Sequence, residues 1–429
     1  MYTPQRLFGE VRSSTDILNH EAFLERARLQ REQERNDPAR LALGGYIVAR
    51  LVDKLLTIET DLAAADGFHW QLGAVRRHVD ELPANWPETS HLSGIVSAVL
   101  SEGRRSAALG KHLTAYAYFL EHEGRLEESL EILALAARSD GPQLVPTEFV
   151  RYALLGGRLN RLLTRWEAAH ACYRAAEESA RSLGDLNSAF RSQLGRANAL
   201  RGQGNLPQAR ATVEGVIKDA AHHNFADVSS DAFLDLGAVF VLQGLDSEAL
   251  QAVYQAFVLS PDGSQQMRIL GELGVKLQKV GALEAARLAF EIVVASNPSF
   301  HVRTNALLEL MELDSAAGNR VGFERLRQEA ALCREKMAPS TAVDYGYKVG
   351  TGLMRFQQSE RAREFLREAL QLSEHHGLNE WYFRVERALQ ELEAGTKEQG
   401  APAPAEANNT PAVQQMTAHL REYALASGV

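Results

Sequence analysis

The 429-residue chain holds only two cysteines, Cys172 and Cys333. They are too far apart for a metal-ligand motif, and two thiols make no disulfide framework. Cys172 sits in an Ala-rich helical run and reads as a small buried hydrophobe. Aromatic residues are sparse, at 7%, as in many helical arrays. No run of about 18 apolar residues occurs, so no membrane span is expected. Residues 1–12 show no basic segment followed by an apolar run, the pattern of a secretory signal. A cytoplasmic protein is the expected default. Positive charge is also in deficit: 46 Lys and Arg stand against 55 Asp and Glu, for a net charge of −9. A general nucleic-acid binder needs a basic footprint to displace counterions. The balance argues against one and leaves room for a local basic patch.

Catalytic and cofactor motifs are missing too. Residues 103–112 hold Gly110-Lys111 after an earlier glycine. Six residues separate the glycines instead of four, His112 stands where a magnesium-binding Ser or Thr is needed, and no strand precedes. His122-Glu123 opens like a zinc-protease motif, but no histidine follows one turn later. His222-His223 and His375-His376 stand at expected helix ends, where imidazole favours the dipole. No Ser, His and acid grouping stands out. The expectation is a protein with no enzymatic activity, no cofactor and no metal site.

What the chain does have is a returning pattern. A turn residue, usually Gly, is followed five positions later by a small residue, usually Ala. The clear copies are Gly204 with Ala209, Gly244 with Ala249, and Gly281 with Ala286. Weaker copies are Gly124 with Ser129, Thr164 with Ala169, Gly318 with Phe323, and Gln357 with Ala362. Successive turns are thus about 37–40 residues apart, and a fixed period in this range signals an array of helix pairs. In one copy Phe233, Leu236, Gly237 and Phe240 share a helical face. Gly244 can end that helix in the left-handed conformation, Ala249 and Ala256 lie on a second helix, and Pro261 stops it. The next copy repeats this with Leu270, Leu273, Gly274, Leu277, Gly281, Ala286, Phe290, Val293 and Pro298.

This order resembles the tetratricopeptide repeat, a helix–turn–helix unit, over about three quarters of the chain. The match is strongest in residues 231–299. Residues 305–333 depart from it, with Phe323 in the small position and Leu310-Met311 in place of Leu-Gly, so packing there must open or shift. The family's usual period is about 34 residues. Here each repeat is longer by about 3–6 residues, or about 5–9 Å if all of that is helix. Longer repeats of this kind are similar to those of bacterial tetratricopeptide regulators that sense peptides and of large signalling ATPase regulators, though no nucleotide-binding module is visible. The resemblance implies an all-α fold: a right-handed α-solenoid, or superhelix, of antiparallel helix pairs.

The expected organisation has four parts. Residues 1–67 form an N-terminal helical region, with a charged helix over 16–36 and a second apolar-striped helix starting near Asp37-Pro38. Residues 68–395 form the solenoid, beginning with a degenerate repeat. Residues 396–411, rich in Ala, Pro and Asn, read as a flexible linker. Residues 412–429 end the chain with Val413, Met416, Leu420 and Tyr423 at helical gaps, a short amphipathic helix free to dock on its own array or on a partner.

The resemblance further implies that the first helix of each pair lines a concave groove. Counting back 13, 6 and 3 positions from each turn gives one helical face. For Thr164 these are Arg151, Arg158 and Arg161; for Gly204 they are Arg191, Asn198 and Arg201. Lys111 and Tyr118 extend the row on one side. On the other side follow Asp231, Ala238 and Val241, then Arg268, Val275 and Gln278. Arginine forks suit carboxylates and phosphates, and Asn can both accept from and donate to an extended backbone. The row is expected to carry one sign with no acidic partner, the acids Glu127, Glu128, Glu131, Glu177 and Glu178 standing on second helices. The expected function is that of an adaptor or regulator binding an acidic or C-terminal peptide segment. The alternatives are a peptide-sensing regulator whose ligand alters the N-terminal region, and an enzyme accessory subunit.

Overall fold

All seven turn positions end a helix with a left-handed backbone. In the computed structural model φ is 73° at Gly124, 57° at Thr164, 81° at Gly204, 73° at Gly244, 83° at Gly281, 73° at Gly318 and 60° at Gln357. At Gly204 the amide donates to the Arg201 carbonyl at 3.0 Å, and the Asn205 amide donates to the Leu200 carbonyl at 2.9 Å. These two bonds satisfy carbonyls that the last helical turn leaves without partners. The same pair recurs at the other six positions. Glycine adopts this conformation without the steric cost other residues meet, about 1–2 kcal/mol. Thr164→Gly should therefore raise stability by about 0.5–1 kcal/mol, after the extra freedom of the unfolded chain is counted. Urea melts followed by circular dichroism test this, and an unchanged or lower midpoint would contradict it.

The structure describes residues 19–57, 62–102, 107–140, 144–296, 298–394 and 410–427. Among them stand twenty α-helices and no strand. In chain order they are α1 (Glu21–Glu32), α2 (Asn36–Thr57), α3 (Leu62–Asp80), α4 (Pro87–Glu102), α5 (Ala107–His122), α6 (Leu126–Asp140), α7 (Pro146–Leu162), α8 (Trp166–Ser182), α9 (Leu186–Gly202), α10 (Leu206–His222), α11 (Ala226–Leu242), α12 (Asp246–Leu259), α13 (Gly263–Lys279), α14 (Leu283–Ala295), α15 (Phe300–Ala316), α16 (Arg320–Ala331), α17 (Pro339–Arg355), α18 (Ser359–His375), α19 (Asn379–Glu393) and α20 (Pro411–Ser427). The fold is an all-α array of consecutive helix pairs. The expected linker lies almost wholly outside the described residues, as does Ile17 of the first expected helix.

The observed period is finer than the expected one. Gly184 and Asn224 also have positive φ, 73° and 58°, with the same two hydrogen bonds. Five positions after each stand Ala189 and Ser229, both buried. The turn thus recurs at Thr164, Gly184, Gly204, Asn224 and Gly244, at half the expected step. The cause is uniform helix length: each of α8 to α11 has 17 residues and is followed by a short link centred on the turn.

Small residues set the spacing inside each pair. The residue five after each of the seven turns is fully buried, including Phe323. A second rule couples the position seven before a turn to the position nine after it. A Cβ on Gly157 would meet Tyr173 at 2.7 Å, one on Gly237 would meet Val253 at 2.9 Å, and ones on Gly274 and Gly350 would meet Phe290 and Leu366 at 2.5 Å. The glycine lets a larger side chain from the second helix lie on the first. The aberrant repeat breaks both rules at once. Met311 and Arg327 hold the paired positions, and the bulk of Phe323 is accommodated by Gly352 of α17, against which its ring lies directly.

The chain divides into two compact units, Met1–Val216 and Ile217–Val429. In the first, α2 residues Leu41, Val48 and Val52 share one buried core with Leu72 and Val75 of α3 and with Leu113 and Tyr116 of α5. The N-terminal helices are thus docked on the first repeats, and the expected break at residue 67 falls inside α3. A polar cluster joins them. The Glu88 carboxylate accepts from the Tyr116 hydroxyl at 2.7 Å, from Arg125 Nη2 at 2.8 Å and from Arg26 Nη2 at 3.2 Å. Arg26 Nε lies 2.9 Å from Glu128, which also pairs with Arg125. In the second unit a continuous core runs from Leu250 to Ala362 and takes in Val413, Met416, Leu420 and Ala424 of α20.

Candidate partner-binding face

Helices α5, α7 and α9 are the first members of three successive pairs, and the turn register places the predicted residues on them. The structure brings the α5 and α7 sets together. Arg158 Nε lies 2.5 Å from Glu121 Oε1, and Arg158 Nη2 donates to Glu121 Oε2 at 2.6 Å. This two-pronged contact fixes the plane of the guanidinium. The same guanidinium carbon stands 5.9 Å from the centroid of the Tyr118 ring, within cation–π range. Burial raises the Tyr118 pKa, with the Arg158 and Arg151 charges pulling against it. The phenol is therefore a neutral donor at ordinary pH. Arg151 pairs with Glu148, one turn back on α7, at 3.1 Å.

These contacts correct the expectation of a row without acidic partners. Glu121 occupies the position three before Gly124, the same register that selects Arg161 and Arg201. Glu148 sits three positions before Arg151 on its own helix. The face thus holds the six cations named by register, Lys111, Arg151, Arg158, Arg161, Arg191 and Arg201, against Glu121 in the same register and Glu148 beside Arg151. It remains positive, and its arginines are held by partners instead of standing loose.

A second feature comes from beneath. Gly157 on α7 and Gly195 on α9 leave a gap that the Tyr173 ring of α8 fills. Tyr173 is almost wholly buried. Burial pushes its phenol pKa up, while the charge and hydrogen bond of Arg161 oppose this. The Tyr173 ring of the second helix thus lies against both glycines, with the Arg161 charge near enough to act on its phenol. On α9, which packs on α7, Arg191 Nε donates to Asn187 at 2.9 Å. Arg191, Asn198 and Arg201 are all half-buried, and Lys111 is exposed. Ala238, Val241 and Val275, expected to flank the row, belong to the second compact unit.

Sequence reasoning missed Glu121, Glu148 and Tyr173. The first was reachable by the register already in use. Tyr173 was reachable by noticing that Gly157 stands seven before a turn and Tyr173 nine after it. Cys172 is fully buried beside Asn160, and burial pushes its thiol up to about 12, so it has no thiolate chemistry near neutral pH. Among the described residues no group of three or more His, Cys, Asp or Glu is placed to hold a metal, and no helix is long and apolar enough to cross a membrane.

Several solved structures are similar to this chain. One is the Rap conjugation gene regulator of the plasmid pLS20 in complex with the Phr* peptide, at 13% identity and a TM-score of 0.46, with 84% of this chain and 98% of that chain covered. Another is a Rap protein complexed with competence and sporulation factor, at 10% identity and a TM-score of 0.45, with 83% and 98% covered. A third is the apo form of the quorum sensor NprR from B. thuringiensis, at 11% identity and a TM-score of 0.42, with 87% and 97% covered. No family model matches the chain, and no curated protein matches it.

Proposed function

We propose that this chain is a non-catalytic adaptor or regulator that binds an acidic or C-terminal peptide segment on the face of α5, α7 and α9. The observation that carries this reading is the held arginine. Glu121 orients Arg158, and the Tyr118 ring backs it. Glu121 engages two of the five guanidinium N–H donors in its bonds, so a ligand carboxylate has others to use. Binding to pre-oriented side chains costs less conformational entropy than ordering mobile ones. Tyr118 and Asn198 add neutral donors suited to a peptide backbone.

Isothermal titration with short acidic peptides bearing a free C-terminal carboxylate tests the reading. Saturable binding that weakens when the carboxylate is amidated is the expected result. Binding of peptides this short favours a peptide-sensing regulator, whereas an adaptor needs a longer protein segment. Failure of both short peptides and folded acidic partners to bind would reject the site. Binding of oligonucleotide with a steep salt slope, and of no peptide, would assign the face to nucleic acid instead.

A further inference from the structure

Helix α20 returns to the second unit well before the last repeat. Val413, Met416, Leu420 and Ala424 enter the core that holds Leu250, Phe257 and Ala289. The Tyr254 hydroxyl lies 2.8 Å from His419 Nδ1, and Tyr423 donates to Gln266 at 2.9 Å. The Phe257 and Tyr423 rings meet edge to face at 5.4 Å. The apolar row expected from sequence is thus the row that docks. Its seat is built by α12 and α14, the second members of their pairs, with Gln266 at the start of α13. It is not the face of first helices on which the proposed function rests.

The apolar row of α20 is buried, but open clefts flank the helix on both sides. A cavity of about 410 Å³ lies along one flank, where Ala412, Gln415 and Met416 stand opposite Phe233, Phe240 and Tyr254. A second, of about 460 Å³, lies along the other, where Gln414, Thr417 and Arg421 stand opposite residues 281–285. Both are open to solvent on one side, and the first is walled mainly by apolar side chains of the array, surface that a broader helix would remove from water. Most of the residues that α20 turns to the two cavities are small or polar.

We propose that this seat is a docking groove for an amphipathic helix of a protein partner, broader on its apolar side than α20, and that α20 is its intramolecular placeholder. Only the stretch between Glu393 and Pro411 links α19 to α20, so α20 competes from within its own chain. A tethered segment reaches effective concentrations on the order of millimolar, and a weak, underfilling helix then suffices to occupy the groove. A partner without the tether must make more contact, with large apolar side chains where α20 has Gln415 and Thr417.

The test uses the full chain and two labelled helical peptides followed by fluorescence anisotropy. One has the sequence of residues 410–427. The other carries Gln415→Leu and Thr417→Leu. The broadened peptide should bind about tenfold or more tightly than the unsubstituted one, since two leucines gain burial. It should bind still more tightly to a full chain carrying His419→Ala and Tyr423→Ala, which removes both polar anchors of α20 and the Tyr423 ring while leaving Val413, Met416, Leu420 and Ala424 in place. Unchanged circular dichroism of that variant shows that the array is intact. Equal affinities for the two peptides, or no binding to the anchor-free variant, would overturn the proposal. A two-chain mass by light scattering, lost on removal of the anchors, would assign the groove to the α20 of a second copy and overturn it as well.

Discussion

Arg158→Glu combined with Arg201→Glu should weaken partner binding by about 100-fold or more while leaving helicity unchanged. The six cations and two carboxylates of the α5, α7 and α9 face leave four positive charges, and two reversals remove all four. Truncating one partner of a desolvated charge pair costs about 2–5 kcal/mol, and a reversal adds repulsion of the ligand carboxylate. The effect on folding is far smaller. Arg158 is 45% exposed in its pair with Glu121, and pairs of this kind contribute about 0–1 kcal/mol. Titration calorimetry reads the first effect and circular dichroism melts read the second. Arg158→Lys separates charge from geometry. It keeps the charge but loses the fork that Glu121 orients, so it should weaken binding measurably without abolishing it. Unaltered binding by the double reversal would remove the face from consideration.

The architecture was legible because its determinants are local. A left-handed helix end must suit its own residue, and a fully buried position five places later favours a small one, so both leave marks in the sequence at fixed offsets. The half-step at Gly184 with Ala189 and Asn224 with Ser229 carries the same marks. The site was legible in part for the same reason. Register selected the arginines, and the same register reaches Glu121. Its pairing with Arg158 depends on how two consecutive first helices lie against each other, and this has no local signature. The adjustment around Phe323 lay further out of reach, since the compensating Gly352 stands on the next pair. The seat of α20 was invisible for the strongest reason. Its apolar row was plain, but Tyr254 stands 165 residues from His419 and Gln266 stands 157 residues from Tyr423. No spacing rule connects positions so far apart.

Arg125→Met should destabilise the first unit by about 3–5 kcal/mol, the cost of leaving buried charge uncompensated. Arg125 stands between Glu88 and Glu128, both with side chains 5% exposed. Without it, two buried carboxylates share Arg26 alone. The pH dependence distinguishes this cause from lost packing. In the native chain burial would raise the Glu88 pKa, but the hydrogen bond and charge of Arg125, with Arg26 and Tyr116, outweigh it and hold the pKa below its usual value. Glu88 thus contributes stability that is present above its unfolded pKa and is lost as pH falls through the folded one. At Glu128 burial prevails over Arg125 and Arg26, and the pKa is raised. That group costs stability near neutral pH and stops costing it once protonated. In the variant both carboxyls lose the opposing cation, and burial raises both. The difference between native and variant should therefore be largest near pH 7 and shrink as pH falls through the carboxylate range. Urea melts at several pH values, with hydrogen exchange of the α4 to α6 amides to localise the effect, measure it. A difference that stays constant with pH would mean that Arg125 acts only by filling space. Adding Glu88→Gln to Arg125→Met should restore part of the lost stability at pH 7, because the residue left without its partner then carries no charge.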